Sequence, residues 1–102
     1  MLTFDELKVA NEDRCNEHFH PLEDWSYTDW ACALAGEVGE ACNLIKKKRR
    51  GEYVNSDEIG RELADAVCYL DLLATSLGFH LGDLVAQKFN EVSDRVGAPH
   101  KL

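Results

Sequence analysis

Proline is scarce in this chain: only Pro21 and Pro99 occur in 102 residues. Strand-like alternation of apolar and polar residues is nearly absent as well, which argues against a sheet-based fold. No apolar run approaches ~18 residues, so no membrane span is expected. No basic segment followed by an apolar one opens the sequence, so no signal peptide is expected. The cysteines Cys15, Cys32, Cys42 and Cys68 form no C-x-x-C pair. They read as reduced thiols of a cytoplasmic protein. Cys42 and Cys68 fall within helical apolar patterns, as small hydrophobic side chains do. There is no internal repeat and no low-complexity segment. The length fits one domain over residues 1–102 with a modest core.

Basic residues are also few. Eleven Lys and Arg face nineteen Asp and Glu, for a formal net charge of −8. A chain of that charge is a poor binder of nucleic-acid polymers, which need a basic surface. The cations are not spread evenly, however. Lys46, Lys47, Lys48, Arg49 and Arg50 are consecutive, and a concentrated cationic segment can hold a small polyanion.

What the sequence does contain is helical periodicity. A first helix is predicted over about Thr3 to Phe19, with Phe4, Leu7 and Val9/Ala10 as its apolar side, ended by Pro21. A second starts near Ser26, where Ser26 and Asp29 form a capping-box-like pair. Trp30, Leu34, Val38, Ala41 and Ile45 recur along it, and Gly51 closes it. Asn55 or Ser56 caps a third helix with Ile59, Leu63, Val67, Leu70, Ala74 and Leu77 on one face, ended by Gly78. A fourth runs from about Leu81 to Val96, closed by Gly97 and Pro99. The expected fold is all-α, a bundle of four to five helices whose middle pair packs antiparallel.

The chemistry lies in the acids of that middle pair. Glu37 and Glu40 are three apart on the second helix, and Glu62 and Asp65 three apart on the third, so each pair shares one face. Both pairs adjoin the apolar stripe. Antiparallel packing through those stripes lets four carboxylates converge. Half-buried anions repel, and a hard divalent cation with oxygen ligands offsets the repulsion. The absence of companion His or Cys ligands favours Mg²⁺, or Mn²⁺ in its place, over Zn²⁺. A zinc set of Cys15, His18, His20 and Cys32 matches no familiar spacing.

The stretches Leu34-Ala-Gly-Glu-Val-Gly-Glu-Ala41 and Glu62-Leu-Ala-Asp-Ala-Val-Cys-Tyr-Leu70 resemble the MazG-like nucleoside triphosphate pyrophosphohydrolases of the all-α pyrophosphatase superfamily. The resemblance extends through Lys88-Phe89-Asn90 and Arg95, and Phe19-His20-Pro21 is similar to a segment of the dCTP-pyrophosphatase branch. Gly36 departs from the pattern, since many members carry a further Glu there. The resemblance implies Mg²⁺ held by Glu37, Glu40, Glu62 and Asp65, and hydrolysis of (deoxy)nucleoside triphosphates to monophosphate and pyrophosphate, in nucleotide-pool cleaning or dNTP turnover. Glu40, with Glu37, is the candidate for handling the attacking water. Asn43 and Lys47 continue the Glu40 face as candidates for substrate contacts, and Lys46 and Lys47 are candidates for the outer phosphates. Lys88, Asn90 and Arg95 match the family's C-terminal segment, Tyr69 is a candidate for a phosphate or sugar contact, and His20 and Trp30 are candidates for ribose or base contacts. A homodimer or homotetramer is implied. Two other readings stand beside it: a phosphoribosyl-ATP pyrophosphohydrolase, and a non-catalytic acidic helical interaction module.

Overall fold

The computed structural model describes residues 1–102. It is all-helical. The order is α1 (Phe4–Arg14), a π-helical turn (Cys15–Phe19), a 3-10 turn (Leu22–Asp24), α2 (Tyr27–Arg49), α3 (Ser56–Ser76) and α4 (Leu81–Val96). No helix is long and apolar enough to cross a membrane.

Local chemistry sets the boundaries. The Thr3 hydroxyl accepts from the Glu6 N–H and caps α1. At α2 the capping box is complete: the Asp29 N–H donates to Ser26 Oγ at 3.2 Å and the Ser26 N–H to Asp29 Oδ2 at 2.9 Å. Asn55 Oδ1 caps α3 by accepting from the Asp57 N–H. At the other end of α4, Gly97 adopts φ 73°, a left-handed conformation that glycine reaches without a Cβ penalty. The first helix is shorter as a regular α-helix than its pattern predicts. It widens into the π turn, and His20 leaves it in an extended conformation (φ −159°, ψ 156°), as the residue before Pro21 must.

α2 and α3 run antiparallel. Lys48 Nζ meets Ser56 Oγ at 2.8 Å where they join, and Trp30 lies 6.3 Å from Tyr69, ring to ring, at the far end. Near that far end the core is densest, with Cys15, Trp30 and Leu72 buried and Leu22, Trp25, Tyr69 and Leu73 packed around them. α1 joins α3 through a buried polar contact, Asn11 to Asp71, so its buried face is carried by Asn11 and Cys15 while Phe4 and Val9 are exposed. α4 docks by its start. His80 Nε2 lies 2.6 Å from Asp5 Oδ1, and a Cβ on Gly82 would come within 2.9 Å of Phe4 Cβ, so α4 can approach α1 here only with a glycine.

Much of the predicted apolar face is uncovered. Leu63 is 55% exposed, Val67 43%, Val38 47% and Ile45 49%. Only 9 of 102 residues are buried. The radius of gyration is 16.1 Å, against about 13 Å for a compact domain of this length. α2 and α3 therefore bury one side of each stripe against each other and leave the other side open. Cys42, expected within the apolar pattern of α2, is exposed.

Candidate metal centre and aromatic cavity

Midway along the α2–α3 pair, Glu37, Glu40 and Glu62 come together. Each offers a carboxylate oxygen within 4.8 Å of the others. The convergence follows from the antiparallel register, which sets the Glu37/Glu40 turn opposite the Glu62 turn. One oxygen of Glu37 and one of Glu62 (Oε2 in each) are buried without any hydrogen-bond partner. A buried carboxylate oxygen with no donor costs free energy, and a divalent cation with oxygen ligands is the group that satisfies several at once. The donor set fits Mg²⁺ or Mn²⁺. The predicted fourth acid, Asp65, stands outside the cluster of three and turns toward a neighbouring cavity, while its charge still acts on Glu40 and Glu62.

The electrostatics record this crowding. The close approach of the Glu62 carboxylate, and its charge, raise the Glu40 carboxyl above its ordinary 4.5. The close approach of Glu37 raises Glu62 likewise. Without a cation, the three acids are relieved by sharing protons.

Beside the cluster lies a cavity of about 410 Å³, within the range of small-molecule sites. Five of its lining residues carry rings: Phe19, His20, Trp25, Trp30 and Tyr69. His20 and Trp25 pack at a 30° tilt with centroids 4.7 Å apart, and Trp25 and Trp30 at a 52° tilt with centroids 4.6 Å apart. The Phe19-His20-Pro21 corner places the first two rings, and the capped start of α2 the tryptophans. Cys15 and Cys68 complete the apolar wall. Burial pushes both thiols up, so they stay neutral and unreactive. Glu37 and Asp65 also line the cavity, so it and the carboxylate cluster are one continuous site.

Of the residues singled out from sequence, His20, Trp30, Tyr69, Glu37 and Asp65 meet in this cavity, and Glu40 and Glu62 join them through the cluster. Asn43, Lys46 and Lys47 lie one to two turns further along α2, with Lys47 partly covered and the others exposed. Lys88, Asn90 and Arg95 are not brought to the site within one chain. Lys88 pairs with Glu91 at 3.1 Å, the Asn90 amide holds the backbone of Leu102, and Arg95 is exposed on α4. The cysteines and histidines form no metal cluster: Cys15 is buried in the core and Cys32 is exposed elsewhere on α2. Sequence reasoning missed Asn11, Arg14, Cys68, Leu72 and Asp71. Asn11 was legible in principle, as a polar residue at the position where the apolar side of α1 should continue.

No family model, curated protein or solved structure matches the chain.

Proposed function

We propose that this protein is a Mg²⁺-dependent hydrolase of (deoxy)nucleoside triphosphates, releasing monophosphate and pyrophosphate. The observation that carries the reading is the shared wall: Glu37 and Asp65 belong both to the acidic face and to the aromatic cavity. A nucleotide is the small molecule with that polarity. Its base stacks on rings such as Trp25 and His20, backed by the buried Trp30, while its phosphates need cations near the carboxylates. When bound, Mg²⁺ supplies charge neutralisation for the phosphate oxygens. Glu37, Glu40 and Glu62 would hold it with Asp65 beside them, and Glu40, the most open of the cluster of three, would orient the attacking water and take its proton. Lys47, seven residues after Glu40 and so on its face of α2, is the nearer candidate for the outer phosphates, with Lys46 next to it in sequence.

The same reading includes a second copy of the chain. The uncovered stripe of Leu63, Val67, Val38 and Ile45 flanks the site, and a two-fold pairing of α2–α3 units buries it and completes a four-helix core. Pairing also provides the route by which Lys88 or Arg95 approaches a site they do not reach within one chain. A homodimer or a tetramer of two such dimers satisfies this.

The test is chromatography of a dNTP digest on a preparation of known light-scattering mass. Monophosphate and intact pyrophosphate are expected with Mg²⁺, none in excess EDTA, from a species at least twice 11.5 kDa. Diphosphate and orthophosphate, or full activity in EDTA, would refute the hydrolase reading. A phosphoribosyl-ATP preference in a substrate panel would keep the metal centre and change the substrate. No turnover on any nucleotide would favour a non-catalytic module.

A further inference from the structure

α4 is attached to the other helices by one end. The dock is made at its start: Leu81 is 7% exposed, His80 Nε2 lies against the Asp5 carboxylate of α1, and Gly82 abuts Phe4. Beyond that turn no hydrogen bond or ion pair joins residues 83–96 to α1, α2 or α3. The side chains there pair with one another or with the segment that follows: Lys88 with Glu91, Asn90 with the Leu102 backbone, and Asp94 with Lys101. The Ala98 N–H donates to the Ser93 carbonyl at 2.8 Å, so residues 98–102 fold back on α4 and form one unit with it. Val85, Phe89 and Val96 are exposed along the same helix.

The joint between α3 and α4 is completed on both sides. The Gly78 N–H donates to the Thr75 carbonyl and the Phe79 N–H to the Ala74 carbonyl, which closes α3, with Gly78 at φ 83°. The Leu84 N–H donates to the His80 carbonyl, which opens α4. Between these bonds, rotation about ψ of Phe79 and φ of His80 breaks no backbone hydrogen bond of either helix. Such a rotation gives up only the dock at the start of α4. That dock is itself incompletely satisfied, since His80 Nδ1 is buried in it with no hydrogen-bond partner and regains water when α4 lifts away.

We propose that α4 and residues 98–102 are a hinged arm, which swings as a unit about Phe79 and His80 while α1, α2 and α3 stay packed. Leu81 and the His80–Asp5 contact are its latch. An element held by so little buried surface opens at a free energy below that of the whole molecule. The arm carries Lys88, Arg95 and the exposed apolar side of α4, so its swing sets where these are offered. The inference stands apart from the nucleotide reading, because it uses no residue of the carboxylate cluster or of the aromatic cavity.

Hydrogen exchange of the intact protein, read by mass spectrometry, tests this. A lone helix of 16 residues is marginal in water, so the α4 amides exchange whenever the arm is open. They are expected to exchange as a group, about tenfold or more faster than amides midway along α2 and α3. Gly82→Ala is the decisive variant. Alanine is the better helix former, but its Cβ would come within 2.9 Å of Phe4 Cβ, so faster exchange in this variant comes only from the blocked dock. Gly82→Ala, and Asp5→Asn at a side chain 80% exposed, should each speed α4 exchange by about threefold or more and leave α2 and α3 unchanged. An α4 that exchanges no faster than α2 and α3 would overturn the proposal. So would either variant slowing α4 or leaving it unchanged, or speeding all three helices alike.

Discussion

The α2–α3 pair has two regions built on opposite principles. At the aromatic end, Trp30 is 1% exposed, its Nε1 donates to the Leu22 carbonyl, and Cys15 and Leu72 fill the space around it. Two turns of α2 away, the acidic middle brings Glu37, Glu40 and Glu62 within 4.8 Å of one another and leaves buried oxygens unpartnered. The first region gains stability from apolar burial. The second stores repulsion that a shared proton or a bound cation relieves. The contrast teaches that stability and chemistry are separated along the same two helices, with the packed end holding the strained middle in register.

Breaking the packed end should have the largest effect. Trp30→Ala removes the largest buried side chain and should cost about 3–5 kcal/mol, a large share of the ~5–15 kcal/mol typical of a whole domain. Urea unfolding followed by circular dichroism measures it. A loss below about 1 kcal/mol would mean that the aromatic end is not the anchor of the fold.

Substitution in the acidic middle should do the opposite. Glu40→Gln and Asp65→Asn should each lower turnover by about a hundredfold or more while leaving the protein folded. Stopped assays of pyrophosphate release, beside thermal melts, separate the two effects. Near-normal rates in both variants would remove these residues from the site.

The smallest effect, and the sharpest for the comparison, is linkage to pH. Glu62 is raised in the folded state by the close Glu37 carboxylate and by neighbouring charge, so folding takes up protons there. Its favourable contribution is complete below the ordinary 4.5 and is lost as pH rises through the higher folded value. Metal-free Glu62→Gln should therefore melt above wild type at neutral pH and above, and the gap should close as pH falls toward that ordinary value. Mg²⁺ should raise the wild-type melting temperature and the variant's less. A gap independent of pH would show that the acids do not repel as their geometry implies.

The sequence made the helices legible because their signals are local. Ser26 with Asp29, Asn55 before Asp57, and Gly97 after Val96 act on atoms within a few residues of themselves. The pairing of Glu37/Glu40 with Glu62 was legible for a similar reason, since two long consecutive helices joined by a short turn leave few registers other than antiparallel. Asp65 was placed less well. Spacing puts it on the Glu62 face, but the rotation of α3 that turns it toward the cavity depends on packing against α1.

Local composition determined the all-helical class, the caps and the acidic faces, since each follows from a residue acting on its own turn of helix. Tertiary structure alone decided which half of each apolar stripe is covered, that Lys88, Asn90 and Arg95 stand apart from the carboxylates within one chain, and that Asn11 and Asp71, 60 residues apart, lock one amide beside the aromatic cavity. Those outcomes depend on how α1, α3 and α4 settle against one another, and contacts between elements distant in sequence leave no periodic signal in either partner.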